Sequence, residues 1–299
     1  MPTVVVVGDV MADVLVAVTA PFSHASDTAS SISTAPGGAA ANQAVWLSRA
    51  GAVVAMVASV GRDPFADAAL RALEVEGVDT SAVLRADTAT GVVVALVEPD
   101  GQRSMLTDRG ANLSLSTRAV EAATGALATG AHLHLSGYCL LDEQSRPAGL
   151  RAIELAREAG TSFSVDACSA GPLRSLGADR FLEWTIGARL LFCNAEEGAV
   201  LAGVGDPAST ARALCAGAAE VVLTMGADGV VVAGADGSTT HGGAPEAPAL
   251  DTTGAGDAFS GTYLAARLAG ASVDDALRAG TAASARCIAA VGARRWAER

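Results

Sequence analysis

No lysine occurs in this chain, so its 20 cationic side chains are all arginines, set against 32 carboxylates for a net charge of −12. Nucleic-acid affinity comes from cations neutralising phosphates, and this balance excludes a general DNA- or RNA-binding surface. Any anionic substrate must be met by arginine or by backbone amides. Aromatic residues make up 4% of the sequence and apolar residues 51%, so the core must be built mainly of Ala, Val and Leu. Cysteine is sparse too: Cys139, Cys168, Cys193, Cys215 and Cys287 are far apart and odd in number, matching neither a zinc spacing nor a disulfide framework. They read as small buried hydrophobes in a reducing compartment. Met1 to Val18 is apolar, but Asp9 and Asp13 interrupt it and no basic residue precedes it, so it reads as neither signal peptide nor membrane span. A cytoplasmic protein without nucleic-acid or membrane partners is expected. Without lysine there is no Walker A motif, and no G-x-G-x-x-G follows the first strand, which argues against P-loop and nicotinamide chemistry.

What the chain does have is concentrated in Asp251-Thr-Thr-Gly254-Ala255-Gly256-Asp257-Ala-Phe-Ser-Gly261, after which small and apolar residues to Ala269 read as a helix. Gly254, Ala255 and Gly256 leave the backbone nearly bare, and free N–H groups at a helix start make a site for an anion such as a phosphoryl group. A carboxylate in that spot would repel phosphate, so Asp257 suggests a base that takes a proton from the attacking nucleophile. An N-cap aspartate after a glycine turn is the plainer alternative. Upstream, Pro36-Gly37-Gly38 precedes the helix-favouring run Ala39 to Ala50, with Asn42 in its first turn, where an amide can contact hydroxyls or act as a cap. Asn194-Ala-Glu196-Glu197 offers a carboxylate where phosphoryl transfer needs a divalent ion, or an acidic helix start. Magnesium keeps several waters, so one glutamate suffices. Glu220 to Thr224 reads as a strand entering Met225-Gly226-Ala-Asp-Gly229, whose hydroxyl and exposed amides suit ATP phosphates.

These four motifs resemble the signatures of the ribokinase-like (PfkB-type) carbohydrate kinases, in the family's order over residues 8–261. The resemblance implies an ATP-dependent kinase with magnesium and potassium. It assigns catalysis to Asp257 with the cradle Gly254, Ala255 and Gly256, and the sugar to Asp13, Gly38 and Asn42. The nucleotide falls to Asn194, Thr224, Gly226 and Gly229, magnesium-bound water to Glu197, and potassium to Asp251. In Asp108-Arg109-Gly-Ala-Asn112, similar to a segment that closes over substrate, Arg109 would grip a substrate carboxylate or serve as an ion-paired loop residue.

Thr3 to Val7, ending in Gly8, reads as a strand buried on both faces, and strand, loop and acidic residue recur down the chain. The expected fold is a single α/β domain over 1–299, a ribokinase-like doubly wound, mostly parallel sheet with helices on both faces and a small β-lid. Gly91 to Val97 and Gln102 to Leu106, joined by Glu98-Pro99-Asp100-Gly101, predict a hairpin. In the resembled family such excursions, here about 14–35 and 90–108, cover the sugar and form a homodimer interface. His132-Leu-His134 reads as a strand with both histidines on one face, and Asp9 as a turn aspartate. Ala39 and Ala40 stand where ribokinases proper have Lys and Gly, Met11 where they have Asn, and Ser136-Gly137 near a sugar-contacting Glu, which weakens the case for ribose and for phosphosugars. A small non-phosphorylated sugar with a primary hydroxyl, as for ribokinase or fructokinase, is the expected acceptor. The alternatives are a 2-keto-3-deoxygluconate-type sugar acid kinase, a nucleoside kinase and a non-catalytic sugar-binding protein.

Overall fold

Short valine-rich runs become strands and the alanine-rich stretches between them become helices. The structure, a computed structural model, describes residues 1–18, 25–97, 103–124, 131–203, 205–244 and 246–294. Its strands are β1 Thr3–Val7, β2 Met11–Val18, β3 Ser30–Gly37, β4 Val53–Val57, β5 Ser59–Val60, β6 Leu84–Arg85 and β7 Gly91–Val97. They continue as β8 Arg103–Asp108, β9 His132–Ser136, β10 Ser162–Asp166, β11 Ala188–Asn194, β12 Ala218–Thr224, β13 Val230–Gly234 and β14 Thr239–Gly242. The helices are α1 Ala39–Arg49, α2 Pro64–Val75, α3 Thr117–Thr124, α4 Tyr138–Leu141, α5 Arg146–Glu158 and α6 Ala170–Leu176. After them come α7 Ala178–Thr185, α8 Ala195–Ala202, α9 Pro207–Leu214, α10 Ala255–Leu268 and α11 Val273–Ile288.

The main sheet has the order β14-β13-β12-β11-β10-β9-β1-β4, parallel from β12 to β4, with β13 and β14 antiparallel at one edge. Successive side chains of a strand point to opposite faces, and each face is buried. Val5, Val7, Leu133, Val165 and Val221 pack with α3 and α5 to α9, whereas Val4, Val6, Phe192 and Val222 pack with α1, α2, α10 and α11. The chain steps from β1 to β4 on one side and to β9 on the other, so the strand order reverses at β1. In open α/β sheets ligands bind beyond the carboxyl ends of the strands at such a reversal. Polar residues stand at those ends here: Asp9 just past β1, then Ser136, Asp166, Asn194 and Thr224.

A second sheet, ordered β3-β2-β7-β8, grows from the end of β1, with β2 and β7 parallel and β3 and β8 antiparallel to them. The strands of the expected hairpin pair from Val92 with Asp108 to Val97 with Arg103. Its turn, Glu98 to Gly101, and residues 19–24 of the first excursion lie outside the described residues.

Two helices set the site. In α10, Gly261 lies so close to α1 that a Cβ would come within 2.8 Å of the Gln43 carbonyl oxygen and 3.0 Å of Trp46 Cβ. That close approach brings Asp257, one turn earlier, against Asn42. Where α1 begins, Gly38 has φ +96 and a Cβ would meet the Asp9 carbonyl oxygen at 2.6 Å, so glycine is required. Helix α5 begins at Arg146 with Pro147 in its first turn, where proline is tolerated.

Candidate active site

Two cavities meet at Asp257. The larger, about 510 Å³, lies between the small sheet and the start of α1, and Asp13, Gly38, Asn42, Arg109 and Asp251 line it. The smaller, about 140 Å³, is lined by Asp166, Asn194, Glu197, Thr224 and Gly256. Asp257 and Ala39 belong to both. Most residues singled out in the sequence therefore converge on one place. Gly226 and Gly229 line neither cavity. Gly229, at φ +89, is explained by packing, since a Cβ would lie 2.3 Å from the Gly242 carbonyl oxygen.

Asp257 lies in the first turn of α10, whose N-cap Gly254 adopts φ +77. The cradle is smaller than the sequence implied. Ala255 N turns back onto the Thr252 carbonyl at 3.2 Å, leaving the amides of Gly254, Gly256 and Asp257 without an acceptor among the described residues. Asp257 Oδ2 accepts from Asn42 Nδ2 at 2.8 Å, so the plain N-cap alternative does not describe it. Burial pushes its carboxyl well above the usual range, with the Asp166 and Asp9 charges adding to the effect and the Asn42 bond and Arg294 opposing it. Asp13, on β2, is raised to about 6 by burial, against the pull of Arg294.

Asp9 is not a turn aspartate. It is 2% exposed, and its carboxylate accepts from Ala39 N at 3.0 Å, Ala40 N at 3.3 Å and Ser136 Oγ at 2.9 Å. It thus holds the start of α1, with Arg109 Nη1 3.7 Å away. Arg109 faces the larger cavity but is shared with Asp9 and stacked over Tyr138, 4.3 Å from the ring centroid. Asn112 exchanges hydrogen bonds with the Val10 backbone at 2.9 and 3.0 Å, which fixes the Arg109 loop to the end of β1.

Asn194 and Glu197 form a reciprocal cap on α8. Glu197 N donates to Asn194 Oδ1 at 2.9 Å, and Asn194 N donates to Glu197 Oε2 at 2.8 Å. Burial and the Asp166 charge raise Glu197 to about 7, despite the Asn194 bonds. A buried carboxylate with no cation beside it among the described residues, across a small cavity from Asp166, is a hard oxygen donor set that fits magnesium and its waters. Among the described residues, no three His, Cys, Asp or Glu side chains form a closed metal cluster. Asp251 accepts from Thr253 N at 2.9 Å and Gly292 N at 3.0 Å, tying the loop before α10 to the C-terminal segment.

Four participants escaped the sequence reading. Asp166 ends β10, is raised to about 6 by burial, and accepts from Cys168 N at 2.9 Å and Gln43 Nε2 at 2.5 Å. Cys168 is not simply a buried hydrophobe: it borders the smaller cavity at φ +70. Gln43 Oε1 lies 2.8 Å from His134 Nε2, and from there contacts run through Ser164 Oγ to His132 and on to Ser162 Oγ, at 2.7 to 2.8 Å. Burial lowers His132 to about 3 and His134 to about 4, so both are neutral core histidines, on one face of β9 as the strand pattern predicted. The fourth, Arg294, bonds Asn42 and Gly37. The Gln43 position, one residue after Asn42 on a helix whose inner face is otherwise apolar, was the only signal available beforehand.

A family model described as pfkB family carbohydrate kinase matches residues 1–298. The chain belongs to the pfkB family of carbohydrate kinases. It is accordingly a phosphotransferase with a sugar hydroxyl as acceptor. This pfkB family chain is 32% identical over 275 residues to a ribokinase of Mus musculus, covering 88% of this chain and 81% of that protein. It is 30% identical over 238 residues to fructokinase-1 of Zea mays, covering 77% of this chain and 73% of that one. A crystal structure of a putative ribokinase II in complex with ATP and Mg2+ from E. coli shares the fold, with a TM-score of 0.84 at 21% identity over 98% of this chain and 95% of that one. The ribokinase-like fold expected from the sequence is the fold observed.

Proposed function

We propose that this kinase transfers the γ-phosphoryl group of ATP to a primary hydroxyl of a small, non-phosphorylated sugar of the ribose or fructose kind. The observation that carries the reading is the place of Asp257, on the wall shared by the two cavities and next to unbonded helix-start amides. Asp257 takes the hydroxyl proton as the oxygen attacks, and the amides of Gly254, Gly256 and Asp257 donate to the transferring group. Asp13, Gly38 and Asn42 orient the acceptor in the larger cavity. Asn194 and Thr224 face the phosphates from the smaller one, and the Gly226 to Gly229 turn lies farther along the nucleotide. Glu197 would hold magnesium through its waters. Magnesium, when bound, neutralises charge on the phosphate oxygens.

Because the transition state needs placement and charge neutralisation more than covalent chemistry, these residues suffice. Potassium would sit by Asp251 and assist at the helix start. The small sheet serves as a lid and as the face of a homodimer, in a cytoplasmic protein with neither nucleic acid nor membrane as partner. No helix among the described residues is long and apolar enough to cross a membrane. A sugar acid acceptor is a second reading, favoured by Arg109 facing the larger cavity.

ADP release measured over pentoses, hexoses, sugar acids and nucleosides, with magnesium and potassium varied, tests the proposal. Turnover with a neutral sugar supports it. Turnover confined to sugar acids selects the second reading, and none with any acceptor defeats both.

A further inference from the structure

Arg294 belongs to none of the motifs, yet the fold secures the segment that carries it. The Gly292 amide donates to Asp251 Oδ2 at 3.0 Å, and the Ala293 carbonyl accepts from Trp46 Nε1 at 3.1 Å. Ala293 also lies against Gly254, where a Cβ would come within 2.4 Å of Ala293 Cβ. From this anchored bend the guanidinium enters the site. Its Nε donates to Asn42 Oδ1 at 2.7 Å and Nη2 to the Gly37 carbonyl at 2.8 Å, while Nη1 is buried with no partner among the described residues. Asn42 then donates from Nδ2 to Asp257 Oδ2 at 2.8 Å.

A side-chain amide has an accepting end and a donating end of nearly equal shape, and only its partners decide which way it faces. Guanidinium offers donors alone. The oxygen of Asn42 must therefore face Arg294, which leaves the NH2 group for Asp257. We propose that Arg294 is a positioning residue for phosphoryl transfer: by pinning the Asn42 oxygen it turns the Asn42 amide onto Asp257 and holds that carboxylate in place to receive the hydroxyl proton. The inference rests on reading Asp257 as the base.

The surrounding charges agree. Asp257 is faced by Asp166 from β10, by Asp9 from the loop after β1, by the neutral Cys287 thiol from α11 and by Arg294 from the C-terminal segment. Both aspartates push a proton onto Asp257 and Arg294 opposes them. Asp13 on β2 faces the same guanidinium, and burial lowers Arg294 only to about 10, so it remains charged at neutral pH.

The test uses the full chain with D-ribose and D-fructose as acceptors and ADP release as readout. Hydrogen bonds to charged groups are worth roughly 10- to 100-fold, so Arg294→Ala should lose about that much in kcat while KM for ATP holds. Its acid limb in kcat/KM should move to higher pH, and millimolar guanidinium should restore part of the turnover. Arg294→Met, which keeps the stem, carries the same test if the alanine variant does not fold. Unchanged kcat in either folded variant overturns the proposal, as does a loss that neither shifts the pH profile nor responds to guanidinium. Asp257→Asn run alongside separates the two ideas. If it turns over normally the base assignment itself fails, whereas an inactive Asp257→Asn beside a normal Arg294→Met defeats only the role given to Arg294.

Discussion

Replacing Asp257 by Asn should cost the enzyme its turnover while making the unliganded protein more stable. The two side chains are nearly the same size, and the Asn oxygen can still accept the 2.8 Å bond from Asn42 Nδ2, so the packing of α1 on α10 survives. What disappears is the ability to hold a proton, and general base catalysis contributes roughly 10²- to 10⁴-fold. What also disappears is a buried charge. Burial and two neighbouring carboxylates hold the Asp257 carboxyl well above its ordinary pKa, so at pH 8 the native state carries a penalty that the unfolded chain lacks. Each unit of such a shift is worth about 1.4 kcal/mol, and each kcal/mol moves the melting temperature of a protein near this size by about 2 to 4 °C. Asp257→Asn should therefore melt above wild type at pH 8, and the difference should shrink as pH falls. ADP release and scanning calorimetry at pH 6 and pH 8 measure both halves. Turnover within about tenfold of wild type removes the base. A lower melting temperature at pH 8 refutes the electrostatic account.

Stability of the wild-type protein should fall as pH rises from about 5 to 8, because the raised carboxyl groups outnumber the two lowered histidines. Raised carboxyl groups contribute stability below their unfolded pKa values and lose it as pH rises through the folded ones, about 6 for Asp13 and Asp166 and about 7 for Glu197. His132 and His134, lowered to about 3 and 4, act oppositely and cost stability as pH falls below about 6.5. A melting temperature that climbs steadily from pH 6 to 8 would contradict this. Glu220 takes 2.8 Å and 2.6 Å bonds from Tyr263 and Arg267, so Glu220→Ala should lose about 2 to 4 kcal/mol in urea titration with kcat little changed. A loss below about 0.5 kcal/mol would show the cluster to be solvated. Gly254→Ala forces a Cβ to 2.4 Å from Ala293 Cβ at φ +77, so it should cost at least about 2 kcal/mol and also depress activity. Wild-type behaviour there would mean that the Gly254 and Ala293 backbones separate easily.

The sequence disclosed those parts of the site that lie within a single turn and its following helix. Asp257 and its glycines, Gly38 with Asn42, and Asn194 with Glu197 each bring their own geometry in four to eleven consecutive residues. The parallel strands were legible for a similar reason, because an unbroken apolar run such as Val4 to Val7 needs both faces buried whatever surrounds it. Asp9 reads locally as a turn residue because the amides it holds, Ala39 and Ala40, lie 30 and 31 residues away and no local pattern links them. Arg294 and Asp166 were invisible for the same cause, since each gains meaning from a partner on another element. Helices α6 and α7 went unnoticed because they are short and Gly177, φ +95, separates them. At Gly229 the fold alone already requires glycine, since the Gly242 carbonyl leaves no room for a Cβ.

The file of side chains from Ser162 to Asp166 carries one further implication. With Asp166 ionised, Gln43 must present its NH2 to it, and each hydrogen bond behind then has only one direction: His134 donates from Nε2, Ser164 to His134 Nδ1, His132 from Nε2, and Ser162 to His132 Nδ1. If Asp166 took up a proton and Gln43 turned over to accept it, every one of these arrows would reverse, and both imidazoles would exchange tautomer. Nitrogen-15 shifts of His132, at the far end of the sheet, would then record the proton count of an aspartate they never touch.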